Sequence, residues 1–237
     1  MEDIDFGQEL IDLFTEQLAS NEHKQHSFEY PDAVDTNFPD PANFKFFRNS
    51  VRRYLYLEDE IDAASVYIAN DIIEWNLEDD LKGLPVEERI PIKIYISSPG
   101  GLLQESFCIC DAIRMSKTPV YTINIGCAAS AAALIYSCGH KRIATPSASF
   151  LLHLGYGGTE GTYQQTKAQQ RNYDALIANM KNILKEQLQP VDEEEFETLI
   201  DGEWYLYMFD KDPNSVHNPR KYNLITEEMT SLSQLSK

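Results

Sequence analysis

The sequence predicts an α/β fold with a mainly parallel sheet and helices outside it, and three observations carry that reading. Apolar, β-branched runs at Ile92 to Ile96 and Val120 to Ile125 alternate with helically spaced stretches at Ala63 to Trp75 and Leu103 to Met115. Such alternation implies crossover connections between parallel strands. Both runs stop abruptly in small residues, at Ser97-Ser98-Pro99-Gly100-Gly101 and at Gly126-Cys127-Ala128-Ala129-Ser130. Ligands of open α/β sheets sit beyond the carboxyl ends of strands, so the two turns are expected on one functional edge. Finally, 237 residues suit one domain with a substantial core and modest extensions.

The first 45 residues stand apart, with eleven Asp/Glu against Lys24 and Lys45. Within them Phe6, Leu10, Leu13, Phe14 and Leu18 have helical spacing over Ile4 to Leu18, a candidate docking helix. Pro31, Pro39 and Pro41 then mark a linker ending near Phe44. The expected organisation is an acidic extension and linker over 1–45, a catalytic domain over 46–210 and a C-terminal tail over 211–237.

In the domain, Val51 to Leu57 reads as the first strand, and Ala63 to Trp75 as a helix burying Val66, Ile68, Ile72 and Ile73. The charged run Glu78 to Arg89 is expected at the surface. A helix over Ser130 to Cys138 and strands over Arg142 to Ala144 and Phe150 to His153 follow. Tyr173, Leu176, Ile177, Met180 and Leu184 form one stripe of a long helix over Thr162 to Leu188. Its length, more than twice the ~11–12 residue mean, suggests an arm that packs on another subunit. Asp192 is a plausible cap for a short helix to Ile200.

Net charge is −18, and no Lys/Arg run is longer than a pair such as Arg52-Arg53 or Lys141-Arg142. A phosphate-neutralising surface needs a basic face, so nucleic acid is excluded as a partner class. Cys108, Cys110, Cys127 and Cys138 lie in apolar stretches without zinc-site spacing and read as buried free thiols. The acidic start, Met1-Glu2-Asp3-Ile4-Asp5, is unlike a secretory leader, and no apolar run approaches ~20 residues. A cytoplasmic chain is expected.

Serine hydrolysis needs a nucleophilic hydroxyl, a base in reach, an orienting acid and donors for the oxyanion. Ser130 follows a buried strand and opens a helix, and Ala128, Ala129, Ala131, Ala132 and Ala133 leave room around it. The same composition also describes a close-packed core helix. His153 ends an apolar strand before a Gly-rich run, whereas His23, His26 and His217 lie in polar terminal segments and His140 in a turn.

The joint order is more specific: a Ser-Pro-Gly-Gly turn, a strand ending Gly-Cys-Ala-Ala-Ser-Ala, a Pro146 turn before the His strand, then Gly157-Gly158 ahead of a long helix. Over roughly residues 50 to 205 this resembles the Clp protease proteolytic subunit. The resemblance implies a ClpP/crotonase-like spiral of βαβ units with a protruding strand-helix oligomerisation arm. It implies Ser130 as nucleophile, His153 as base, and the amides of Gly101 and Ala131 as oxyanion hole. It also implies a substrate path along Gly100, Gly157 and Gly158. Aligning Tyr205 with the family's Phe puts Glu203 in the acid's place, with Asp201 as fallback, while Gly202 replaces an Arg that in the family couples the rings to activity. Beyond Tyr205 only Tyr222-Asn223-Leu224-Ile225 hints at the family's closing strand.

The same resemblance implies stacked heptameric rings, a tetradecamer fed with unfolded polypeptide by a hexameric AAA+ unfoldase of the ClpX or ClpA type. No metal or organic cofactor is expected, with ATP used only by that partner, and no membrane. Other readings compatible with the sequence are a catalytically inactive ring subunit, a viral head-maturation peptidase of the same fold and, disfavoured by the Ser130/His153 pair, a crotonase-type acyl-CoA enzyme.

Overall fold

A computed structural model of the chain describes residues 48–189 and 191–236; the helical pattern over Ile4 to Leu18, the proline-rich linker, His23 and His26 lie outside the described residues. Five parallel strands run in the order β1 (Tyr54–Leu57), β2 (Ile92–Ser98), β3 (Val120–Ala129), β4 (Lys141–Ala144) and β7 (Glu227–Glu228). Ile92, Ile94 and Ile96 of β2 are fully buried, which is why this run is continuously apolar.

Strand β3 positions everything that follows. One of its edges pairs with β2, and the other pairs with β4 through Tyr121–Asn124 and then with β5 (Ser149–Leu152) through Cys127–Ala129. Buried Asn124 makes the hand-over. Its amide donates to Ser149 O at 2.9 Å, its Oδ1 accepts from Gly126 N–H, and its carbonyl accepts from Thr145 N–H. Strand β6 (Trp204–Tyr207) runs antiparallel on the far side of β5.

The helices are α1 (Tyr67–Leu81), α2 (Leu103–Met115), α3 (Ala131–Ser137), α4 (Tyr163–Gln187) and α5 (Glu193–Asp201). Every residue of α3 is buried, and its alanines let it pass close to β3, β5 and α2. Thr162 caps α4 through a reciprocal bond pair with Gln165, and Asp192 caps α5 through the amides of Glu194 and Glu195. The arm is present as α4, exposed over most of its first half. Among the described residues, 153–162 pair with no strand.

Several expectations are corrected. The first strand starts at Tyr54, and residues 48–52 are helical. The run Glu78 to Arg89 is not uniformly exposed, since Asp79 is 1% and Arg89 8% accessible. Both Asp79 oxygens accept from the Arg53 guanidinium at 2.7 Å, and Thr118 Oγ1 donates to Asp79 Oδ2 at 2.7 Å. Arg53 also donates to Ile90 O, so one ion pair ties together the entries to β1, β2 and β3.

Only Cys110 and Cys138 are buried; Cys108 is exposed and Cys127 partly so. Burial, and then the neighbouring Cys138 thiol, push the Cys110 thiol up, which leaves it an inert core group. Tyr222 to Ile225 is a turn, with Asn223 at φ 53°, and the closing strand comes later as β7. The segment assigned to a tail therefore returns to the sheet. Arg142 holds it by donating to the carbonyls of Leu224 and Asn223, and Trp204 packs edge-on against Tyr222.

Burial alone would raise the Asp79 pKa, but the Arg53 and Thr118 hydrogen bonds and the charges of Arg53 and Arg89 outweigh it and hold the carboxyl below its ordinary value. With the folded-state pKa lowered, this contribution is fully present above the unfolded value of about 3.9 and is lost as pH falls through the folded value. Asp79→Ala strands a buried guanidinium and is expected to lower the unfolding free energy by about 3–5 kcal/mol in urea melts at neutral pH. The gap to the parent should narrow as the melts are taken toward about pH 3. A neutral-pH loss below about 1 kcal/mol would mean that the clamp behaves like an exposed pair.

Candidate active site

Ser130 alone turns the chain from β3, which ends at Ala129, into α3, which begins at Ala131. The turn forces the residue to φ 56°, ψ −126°. For a residue with a side chain this costs about 1–3 kcal/mol and persists only where the surroundings over-determine it. Here the Ser130 N–H donates to Leu151 O at 2.7 Å, and its carbonyl accepts from the amides of Ala133 and Leu134. Serine is a preferred N-cap, yet this hydroxyl makes no capping bond and is left for other use.

Gly100 packs directly under the turn at φ +96°. A Cβ there would lie 2.6 Å from Ala129 O and 2.7 Å from Ser130 Cβ, so only glycine fits. Gly101 forms a parallel bridge with Ile61, whose N–H donates to Gly100 O while Leu102 N–H donates to Ile61 O. That pattern turns the Gly101 N–H away from Ile61. The N–H of Ala131, first residue of α3, has no intrahelical acceptor.

His153 follows β5, two residues after the carbonyl that anchors Ser130. Its Nε2 is buried without a hydrogen-bond partner among the described residues. Extending the β5–β6 register by one pair beyond Leu152↔Trp204 sets Glu203 opposite His153. The Glu203 carboxylate accepts from the Tyr205 phenol at 2.8 Å, and that bond, followed by the carboxylate's charge, raises the Tyr205 pKa. Asp201 ends α5, exposed and two residues further along.

One cleft of about 650 Å³ is lined by Gly100, Gly101, Ser130, Ala131, His153 and Glu203 together. Asp201, Gly157 and Gly158 are not among its lining residues; Gly155 and Tyr156 are. The far wall is the expected α4 stripe: Tyr173, Leu176, Ile177 and Met180 face the cleft, and the Tyr173 hydroxyl donates to Leu154 O at 3.0 Å, holding the segment after His153. From sequence that stripe is expected only as packing; Glu60 and Glu105 also line the cleft, and the Tyr205 phenol engages Glu203, three roles the sequence does not single out. An i, i+2 Glu203/Tyr205 pair on one strand face was the available signal for the last of these.

Residues 52–208 match the family model for Clp protease. The chain belongs to the Clp protease family. It is 31% identical over 147 residues to the ATP-dependent Clp protease proteolytic subunit 3 of Rhizobium meliloti, covering 61% of this chain and 70% of that one. It is 30% identical to proteolytic subunit 3 of a Synechococcus species over 76% of this chain and 84% of the relative. With proteolytic subunit 2 of Prochlorococcus marinus subsp. pastoris it shares 28% over 81% and 89%. The protein is thus a ClpP-like proteolytic subunit by descent, and its parallel sheet with outer helices is the ClpP/crotonase-like fold. No helix among the described residues is long and apolar enough to cross a membrane.

Gly100→Ala and Gly83→Ala form a matched pair, because both glycines have positive φ but nothing lies within 4 Å of an added Cβ at Gly83. Gly83→Ala should cost about 1 kcal/mol, the strain alone. Gly100→Ala should cost clearly more in the same urea melts, since backbone atoms must move. Equal costs would show that the Ser130 turn is not packed against Gly100.

Proposed function

We propose that the protein is a serine endopeptidase subunit of the Clp type. Ser130 Oγ attacks a peptide carbonyl while its proton passes to His153 Nε2 and on to the leaving amine; water then repeats the sequence on the acyl-enzyme. The amides of Gly101 and Ala131 receive the oxyanion. Glu203 leaves Tyr205 to accept the imidazole N–H, the role for which Asp201 is the fallback. One observation carries the reading: a hydroxyl that caps nothing, held in a strained turn, shares a cleft with an imidazole nitrogen that has no partner among the described residues. Catalytic hydrogen bonds are often long in an unliganded site and tighten with substrate.

Family membership supports the rest of the proposal. The subunits assemble through α4 into two stacked heptameric rings in the cytoplasm, a hexameric AAA+ unfoldase of the ClpX or ClpA type feeds the chamber, and ATP is used by that partner alone. The exposed first half of α4, with Tyr163 78% accessible, supports packing on a second subunit.

The Glu203–Tyr205 bond favours a second reading, a ring subunit without turnover, because the carboxylate is engaged away from the imidazole. A fluorophosphonate probe followed by peptide mass spectrometry separates the two: the peptidase is labelled at Ser130 and the structural subunit is not. In the peptidase, Glu203→Gln is expected to lower kcat/KM by up to about 10⁴, the scale seen for the orienting acid of a triad. A loss of that size in Asp201→Ala instead would move the role there. Native mass spectrometry tests the assembly, and a monomer would remove the chamber.

A further inference from the structure

The cleft carries a charge pattern that peptide-bond chemistry does not require. Three of its lining residues are carboxylates, Glu60, Glu105 and Glu203, and none is Lys or Arg. Glu203 is bonded to Tyr205, but Glu60 and Glu105 make no hydrogen bond or ion pair with any described residue. They flank the Gly100–Leu102 segment from two directions. Glu60 precedes Ile61, the residue bridged to Gly101, and Glu105 lies in the first turn of α2, three residues beyond Leu102. Glu58, Asp59 and Asp62 add to the negative field around Glu60. The opposite wall is apolar, with Leu176, Ile177 and Met180.

Glu105 is half-buried and Glu60 exposed; a carboxylate beside apolar walls lacks part of its hydration, so a cation brought between the two, and to Glu105 above all, is attracted more strongly than in open water. We propose that Glu60 and Glu105 are specificity-determining residues, which make the cleft prefer polypeptide segments with a basic side chain beside the apolar residue seated against α4. This rests on the peptidase reading and names its substrate class. A chain with acidic neighbours at the same place is repelled, so the selection works by exclusion as well as attraction.

The test uses the full-length protein and internally quenched peptides that differ only in Lys, Ala or Glu next to a central Leu, on either side. On at least one side, kcat/KM should rank Lys over Ala by about fivefold and Ala over Glu by a similar factor, the scale of one partly exposed ion pair. The spread should shrink in about 0.5 M salt, a measurement that needs no variant. It should also collapse in the Glu60→Gln, Glu105→Gln double variant, with folding checked by circular dichroism. Equal rates across the series, or a ranking unchanged in salt and in the double variant, would overturn the proposal. Fluorescence anisotropy with the same peptides on Ser130→Ala reads the ranking as Kd without turnover. If no peptide is cut and Ser130 is unlabelled, the peptidase reading falls, while the anisotropy ranking still decides for or against the carboxylates.

Discussion

The hydrogen bond from Ser130 N–H to Leu151 O is the constraint on which the site depends. It exists because β3 is long enough to serve two strands on one edge, β4 first and β5 beyond Asn124. Parallel pairing brings both strand ends to the same edge, so the residue after β3 and the residue after β5 must emerge side by side. Ser130 and His153 are those residues. Gly100, at the end of β2, closes the turn from below, and α4 closes the cleft from the far side. The cleft is a consequence of strand order before it is a consequence of any particular side chain.

Rigidity is distributed in keeping with that order. The ends where the strands begin are tied by the buried Arg53–Asp79 pair and its bonds to Thr118 and Ile90. The side of β4 is tied by Arg142, whose guanidinium serves the carbonyls of Gly139, Leu224 and Asn223. At the opposite edge the Ser130 hydroxyl, the His153 Nε2 and the carboxylates of Glu60 and Glu105 have no hydrogen-bond partner among the described residues. Of these only the His153 Nε2 is buried; a buried polar atom without a partner costs about 1–3 kcal/mol, which a ligand supplying the missing bond recovers.

Much of this was legible from the residues. The bounds expected for α2 are those observed, and α4, which carries a long periodic stripe, differs by one residue at each end. Ser130, His153 and the glycines at 100 and 101 could be singled out because their motifs occur in a joint order that resembles the Clp protease subunit, although each is ambiguous alone. What could not be read depended on partners distant in sequence. Asp79 looks like surface in a charged run until Arg53, 26 residues earlier, reaches it. Strands β6 and β7 have four and two residues, too short for periodicity to register, and are specified by the strands beside them. The Glu60 contribution to the cleft appears only through the bridge between Ile61 and Gly101.

The candidate acid, Glu203, shows what local chemistry the proposed mechanism asks of one side chain. Glu203 lies at the start of an edge strand whose outer face carries stacked Tyr205, Tyr207 and Phe209, with ring centroids 6.4 and 5.0 Å apart. Its bond to Tyr205 is between exposed side chains, and an exposed hydrogen bond to a carboxylate is weak enough to be exchanged for one to an imidazolium. In the proposed peptidase, Glu203 would exchange its bond to Tyr205 for one to His153, a change of side-chain position that leaves the backbone pairing of β5 with β6 in place. Under that proposal the side chain that has to move lies on the β5–β6 pair and not in the Ser130 turn, whose backbone is already held by the bond to Leu151 O.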